Sequence, residues 1–354
     1  MVILYDGYSY DRIGHELGVA AVNDRSVSLL SNYDMEVLRT WKGRGAILCE
    51  TNQGTFIWKE YAGHREKVIF QDAVLRLVQE RGFLNVENIV KNKEQEFLTQ
   101  DQDGTLYVLK TYLEGRECNV RDPEECRQAV KTLATLHKAS YCQEPLPGFS
   151  TVHSTNREFE KHNKELRHVR KYLKERGQKT DFEIVLLQSY DYFFNRALEI
   201  AEEQKSFQSE EDSNYFCHGD YQYHNILFSG KEIHLINFEK CQQASPVKDL
   251  YLFVRKLLEK SNWSIQTGFD LLNAYEAVRP MEKEEYRQLF YRLAYPEKFW
   301  KIVNFYYNSG KAWIPGKNSE KLQKLSDQEI NKQAFLKKFM EYYGLDSEAV
   351  RDIL

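Results

Sequence analysis

The sequence lacks the features that mark membrane, secreted and zinc-binding proteins. No run approaches the roughly 18 apolar residues that a membrane-spanning helix requires. Residues 1–6 contain neither a basic n-region nor a long apolar h-region, so we expect synthesis and retention in the cytosol. The six cysteines include no C-x-x-C pair, which is typical of reduced, mostly buried thiols and speaks against a zinc site.

An excess of charge of one sign is also absent. The net charge is −4 and the basic and acidic residues are interspersed, so we expect no binding to nucleic acid or to an anionic membrane. A composition that is 42% hydrophobic and 14% aromatic indicates a globular chain with a substantial core. At 354 residues the chain should form two lobes, because single cores stop growing near about 250–300 residues. The 23 tyrosines are explained by packing in the core and on the surface; the alternative is that they cross-link the protein within an assembly.

The most informative motif is His218-Gly219-Asp220, with Asn225 five residues after the aspartate. This is the spacing of a kinase catalytic loop. We predict that Asp220 accepts the proton of an attacking hydroxyl and that the amide oxygen of Asn225 holds Mg²⁺. Residues 226–236 read as strand, turn and strand, a hairpin that would bring these groups to one phosphate site.

The carboxylate that usually anchors the metal is missing. At the Asp of a kinase D-F-G or D-F-E triplet, the predicted metal strand 232–239 has Asn237. One charge pair at about 4 Å and an effective dielectric of about 20 is worth on the order of 4 kcal/mol, so metal affinity and rate should fall by roughly two to three decades. Glu239 should face the same side of the strand and bind the metal in part. ATP and Mg²⁺ are therefore the predicted cofactors, with weakened binding.

Residues 35–113 have the element order of a kinase small lobe: three strands, one main helix and two further strands. Lys59 lies on the third strand and is predicted to bind the nucleotide phosphates; the alternative is an exposed lysine on an edge strand. Asp72, rather than Glu66, is the preferred acidic partner of this lysine on the helix over residues 64–81.

Two further segments of this lobe could contact a nucleotide. The backbone around Thr111 and Leu113 is predicted to supply the donor and acceptor for adenine. The loop at residues 42–45, with two glycines, either cradles phosphates through its N–H groups or is a plain hairpin.

The remaining boundaries follow from the same patterns. Residues 1–34 are predicted to be an N-terminal extension with a short helix, and residues 114–354 a larger, mostly helical lobe that carries the catalytic loop 218–225. Asp249, near the start of a helix, should hydrogen-bond the backbone of the catalytic loop or act as a helix N-cap. The predicted fold class is thus α+β, with a bilobal, protein-kinase-like arrangement.

Several segments carry a closer resemblance, to the CotS family of bacterial spore coat proteins within the aminoglycoside phosphotransferase and choline kinase superfamily. They are residues 107–116 (YVLKTYLEGR), 133–140 (LATLHKAS), 218–225 (HGDYQYHN), 275–280 (YEAVRP), 295–307 (YPEKFWKIVNFYY) and 311–313 (KAW). The resemblance implies a kinase-like fold, synthesis in the mother cell during sporulation, incorporation into the spore coat, and other coat proteins as partners.

Two functions follow from the residues and the resemblance together. One is a spore coat protein that uses its kinase fold as a pseudokinase or weak ATP binder in coat assembly. The alternative is an ATP-dependent phosphotransferase that acts on a hydroxyl of a small molecule, as aminoglycoside, choline or homoserine kinases do. The intact Asp220, Asn225 and Lys59 favour activity, whereas Asn237 favours the first function.

Overall fold

The computed structural model describes residues 25–43, 45–148, 154–205, 214–308 and 315–345. These residues form helices together with antiparallel sheets, which confirms the predicted α+β class. The chain divides into two compact units, Met1–Thr151 with Asn214–Asp249, and Val152–Ser213 with Leu250–Leu354. The catalytic loop thus belongs to the first unit, and the predicted lobe boundary after Leu113 stays a prediction. Residues 1–24 of the predicted N-terminal extension lie outside the described residues.

The first unit is built on an antiparallel sheet. Its described strands are β1 Val37–Lys42, β2 Ile47–Thr51, β3 Gly54–Glu60, β4 Ile89–Val90, β5 Leu98–Gln100 and β6 Leu106–Thr111. The strand order is β1-β2-β3-β6-β4, and β5 also pairs with β6. Gly54 adopts φ +116° at the β2–β3 turn, a conformation that glycine reaches without steric cost. The Thr51 hydroxyl donates to the Gly54 carbonyl oxygen at 2.8 Å.

The two faces of this sheet differ in character. One face forms an apolar cluster around Trp58 and Leu109, covered by Leu30 from a 3₁₀ helix at Arg25–Asn32. That helix lies within the predicted N-terminal extension, for which a short helix was expected. Because Ile57 pairs with Lys110 in the sheet register, and Lys59 with Val108, the opposite face carries two lysines.

Two helices and two small sheets complete the first unit. The helices are α1 Arg65–Glu80 and α2 Pro123–Ser140, and the strands are β7 Arg116–Glu117, β8 Phe216–Cys217, β9 Ile226–Ser229, β10 Glu232–Leu235 and β11 Gln242–Gln243. Strand β9 lies between β10 and β7, and β11 pairs with β8. Helix α2 begins at Pro123, because the Asp122 side chain accepts from two backbone N–H groups and Pro123 occupies the first turn.

The second unit is helical throughout its described part. Its helices are α3 Thr155–Glu175, α4 Asp181–Lys205, α5 Val247–Lys260, which begins in the first unit, α6 Ile265–Glu276, α7 Lys283–Ala294, α8 Glu297–Asn308 and α9 Pro315–Tyr343. Helix α9 is charged but buries Leu322, Phe335 and Phe339. Across the described residues, none of the helices combines the length and the apolar character that crossing a bilayer would require.

The buried carboxylate of Glu297, in the second unit, should make the stability of the fold fall at low pH. Burial would raise the pKa of Glu297, but Lys301 and Arg255 outweigh it and lower the pKa to about 2. A depressed carboxyl pKa stabilises the fold above the unfolded value of 4.5, and this contribution disappears as pH falls towards 2. It is worth about 3 kcal/mol, at about 1.4 kcal/mol per pKa unit. We expect Glu297→Gln to remove that pH-dependent component, measured by urea unfolding between pH 5 and pH 2.5; identical pH slopes for both proteins would contradict this assignment.

Candidate active site

The catalytic loop is held in place by Asp249. Its two carboxylate oxygens accept from the backbone N–H groups of His218, at 2.6 Å, and Gly219, at 2.9 Å. Asp249 is fully buried and its carboxylate lies 3.5 Å from Nε2 of His137. Burial raises the pKa of Asp249, but His137, His218 and the Gly219 N–H outweigh it and lower the pKa. The prediction that Asp249 hydrogen-bonds the catalytic loop is confirmed.

Gly219 allows a close approach between this loop and the segment after β10. It adopts φ +79°, and a Cβ there would stand 2.0 Å from the Lys240 carbonyl oxygen. We expect Gly219→Ala to destabilise the first unit by about 2–3 kcal/mol, since both the backbone strain and the clash must be relieved. Gly230→Ala is the matched control: Gly230 has φ +60° but open space around it, so about 1 kcal/mol is expected. Equal losses of urea stability in the two variants would refute the close approach.

The proposed base, Asp220, is paired rather than free. Its Oδ2 accepts from Lys240 Nζ at 2.9 Å, and its Oδ1 accepts from the Gln222 amide. Its side chain is 17% exposed. Burial raises the pKa of Asp220, yet Lys240 and His218 reverse this effect and lower the pKa. Asp220 is therefore ionised near neutral pH, which is the form that a general base requires.

The two predicted metal ligands of amide type lie together. Asn225 donates from Nδ2 to the Asp220 carbonyl oxygen at 2.8 Å, and its Oδ1 accepts from Asn237 Nδ2 at 2.8 Å. Asn237 has φ +65°, in the left-handed region that asparagine tolerates better than most residues. The structure thus brings Asn225 and Asn237 into direct contact through one amide–amide hydrogen bond.

Glu239 does not occupy the place that we predicted for it. Strand β10 ends at Leu235, and Phe238–Lys240 form a 3₁₀ turn, so the alternation of a strand does not extend to position 239. Glu239 Oε1 instead accepts from Lys110 Nζ at 2.7 Å and from Lys59 Nζ at 3.3 Å. Burial raises the pKa of Glu239, but the two lysines outweigh it and hold the pKa far below its usual value.

Lys59 lies on β3 as predicted, but its acidic partner is not Asp72. The carboxylate of Asp72 pairs with Arg76 at 2.7 Å, one turn along α1. The preceding residue, Gln71, is buried and donates to Glu87 Oε1 at 3.3 Å. One residue corresponds to about 100° around a helix, so the inward position predicted for Asp72 belongs to Gln71.

Two residues of the site, Lys110 and Glu87, were not predicted from the sequence. Both side chains are almost fully buried, and they pair at 3.0 Å. Glu87 also accepts from the backbone N–H of Phe238 at 3.0 Å. With Lys59 and Glu239 they form what we call the lysine–glutamate cluster. The signal available was Lys110 itself, since it shares the face of its strand with apolar Val108.

The predicted nucleotide-contact segments stay predictions. The N–H of Thr111 donates to the Asn88 carbonyl oxygen at 2.9 Å, so the carbonyl oxygen of Thr111 is the group that this residue could offer to adenine. Leu113 lies two residues beyond the end of β6, and its adenine contact stays a prediction. In the loop at 42–45, Gly43 N–H donates to the Ala46 carbonyl oxygen at 2.9 Å, whereas Arg44 is outside the described residues.

These donors do not fit a divalent metal ion. Asp220 is paired with Lys240, and Glu239 is paired with two lysines. The remaining predicted ligands, Asn225 and Asn237, are neutral amides bonded to one another. Mg²⁺ in nucleotide sites is held by carboxylates together with phosphates, and each of these carboxylates already has a cationic partner.

Comparisons with known proteins agree with the kinase-like reading of the chain. The sequence model of the family described as "Spore coat putative kinase YutH" matches residues 26–339. "Spore coat protein S" of Bacillus subtilis (strain 168) is 26% identical over 328 residues, which cover 85% of this chain and 88% of that protein.

Solved structures show the same fold. An aminoglycoside phosphotransferase from Alicyclobacillus acidocaldarius superposes with a TM-score of 0.77 at 22% identity, over 95% of this chain and 100% of that one. A spectinomycin phosphotransferase, solved with ADP and spectinomycin, superposes with a TM-score of 0.60 at 15% identity, over 85% and 92% of the two chains. The predicted kinase-like fold class is therefore confirmed.

Proposed function

This chain belongs to that family of kinase-like spore coat proteins, and we propose that it acts in the spore coat as a nucleotide-binding protein with little or no phosphoryl-transfer activity. The observation that carries the proposal is the Asn237–Asn225 hydrogen bond. In a kinase, the position of Asn237 holds a carboxylate that binds the metal. Coat location and partnership with other coat proteins are carried over from the family and from the Bacillus relative.

Nucleotide binding is supported by what the site retains. Lys59 is 39% exposed at the edge of the lysine–glutamate cluster, so its ammonium can meet phosphate oxygens from solvent. Asp249 accepts hydrogen bonds from the N–H groups of His218 and Gly219, and these bonds hold the catalytic loop in the conformation that would face the phosphates. The spectinomycin phosphotransferase was solved with ADP, and its shared fold supports a nucleotide in the corresponding place. We expect weak affinity, because Glu239 competes for Lys59.

The second candidate function is an ATP-dependent small-molecule phosphotransferase. It is favoured by one observation, the ionised Asp220 at the base position of an intact catalytic loop. Its acceptor would carry a hydroxyl, as the substrates of aminoglycoside, choline and homoserine kinases do. Asp220 would accept the hydroxyl proton on an oxygen that also accepts from Lys240 or Gln222, and both partners reduce its basicity.

The proposal is tested first by location. A tagged chain in sporulating cells should be recovered from the coat fraction of purified spores, and Asp220→Asn should be recovered equally. Loss of coat deposition in Asp220→Asn would indicate that catalysis is needed, and absence of the wild type from the coat would overturn the proposal.

Nucleotide binding is tested by calorimetric titration of ATP into the purified full chain. We expect Lys59→Ala to weaken binding by about tenfold, or about 1.4 kcal/mol, since one charge-assisted phosphate contact is lost. Lys131→Ala, on an exposed position of α2, is the control and should bind as the wild type does. No binding by the wild type would overturn this part of the proposal.

A further inference from the structure

Lys240 occupies an unusual position beside the proposed base. Its Nζ lies 2.9 Å from Asp220 Oδ2, and its side chain is 61% exposed. It follows Asn237 by three residues, at the end of the 3₁₀ turn Phe238–Lys240. A cation thus stands beside the carboxylate that, in a kinase, accepts the proton of the attacking hydroxyl next to the transferred phosphate.

The backbone of Lys240 is fixed, although its side chain reaches into solvent. Its carbonyl oxygen lies against Gly219 so closely that a Cβ at 219 would stand 2.0 Å away. The N–H of the next residue, Cys241, closes the turn on the Phe238 carbonyl oxygen at 2.9 Å. The backbone at Lys240 is therefore held in place beside the catalytic loop, while the flexible side chain can move its ammonium within reach of Asp220.

The charges around the metal position indicate a role for Lys240 in phosphate binding. Asn237 removes one negative charge from the metal position. Lys240 adds one positive charge at Asp220, whose carbonyl oxygen accepts from Asn225, the hydrogen-bond partner of Asn237. Both changes disfavour a divalent cation and favour a polyphosphate without one. A lysine ammonium binds phosphate as a point charge and needs no fixed coordination geometry.

We propose that Lys240 takes the place of the divalent ion, so that this site binds a nucleoside triphosphate in its metal-free form. The inference rests on the nucleotide site of the proposed function. In this arrangement Lys240 turns from Asp220 towards the terminal phosphates while Lys59 meets the inner ones. A simple surface ion pair between Lys240 and Asp220 is the alternative, and it makes no contribution to binding.

The experiment is a calorimetric titration of ATP into the full chain, in EDTA and in excess Mg²⁺. The wild type should bind in EDTA, with an affinity within about twofold of that in Mg²⁺. Lys240→Gln should weaken binding in EDTA by about tenfold, or about 1.4 kcal/mol. Lys231→Gln, at the exposed β9–β10 turn, removes the same charge and should leave binding unchanged. Thermal melting of each variant verifies that the fold is retained.

The outcomes separate this inference from the proposed function. Binding that requires Mg²⁺, or that is unchanged in Lys240→Gln, overturns the role of Lys240 and leaves the nucleotide site standing. Absence of any binding by the wild type overturns both. A double variant, Asn237→Asp with Lys240→Gln, should restore the usual charge pattern and make binding stronger in Mg²⁺ than in EDTA.

Discussion

Replacing Lys110 by methionine is expected to destabilise the first unit by about 3–5 kcal/mol, the usual cost of removing one partner from a buried ion pair. Lys110 is 2% exposed and Glu87 1% exposed, and Glu239 shares the same ammonium. Burial lowers the pKa of Lys110, but the carboxylates of Glu239 and Glu87 outweigh it and raise the pKa. Without the lysine, Glu87 remains buried without a cation. Urea unfolding at pH 7 measures the loss.

Lys59→Met is the matched control for this prediction. Lys59 meets the same oxygen of Glu239, at 3.3 Å, but is 39% exposed, so a loss of at most about 1 kcal/mol is expected. Adding Glu87→Gln to Lys110→Met removes one uncompensated charge and should recover part of the stability. Similar losses for Lys110→Met and Lys59→Met would show that the cluster is not the buried network described here.

Asp249→Ala is the second change with a large expected effect, about 4 kcal/mol. It leaves the buried N–H of His218 and the half-buried N–H of Gly219 without their acceptor, and each such group costs about 1–3 kcal/mol. The loss falls on the catalytic loop itself. Amide hydrogen exchange should therefore accelerate in residues 217–225 more than in the β2–β3 hairpin.

Asp249→Asn provides the comparison for this variant. One amide oxygen remains as an acceptor, so about half of the loss in unfolding free energy is expected. If the free energy of unfolding of Asp249→Ala lay within about 1 kcal/mol of the wild-type value, the hydrogen bonds of Asp249 would not be what holds the loop in place. The charge of Asp249 would then have to be stabilised mainly by His137, 3.5 Å away.

The parts of the fold that were predictable from the sequence are those governed by local rules. The Asn52–Gly54 turn and the hairpin after Asn225 each depend on residues a few positions apart. The link from Asp249 to the catalytic loop spans about thirty residues. It was predicted correctly because a kinase-like motif implied it.

The parts of the site that the sequence did not predict depend on distant partners or on a change of backbone geometry. Lys110 meets Glu239 across 129 positions, and no local pattern links these residues. The error at Glu239 came from extending a strand past Leu235, whereas Asn237 in the left-handed region turns the chain. Such a turn moves the side chain at 239 from the expected metal to the lysines.

The most direct test of the central claim, a kinase fold without a working metal anchor, is turnover of ATP in Mg²⁺. Phosphate transfer to water and to a panel of hydroxyl acceptors, including aminoglycosides, choline and homoserine, is compared for the wild type, Asp220→Asn and Asn237→Asp. We expect a wild-type rate no higher than that of Asp220→Asn, and a Mg²⁺-dependent gain in Asn237→Asp. Wild-type turnover that falls by about a hundredfold or more in Asp220→Asn would instead establish an active phosphotransferase with a working metal site.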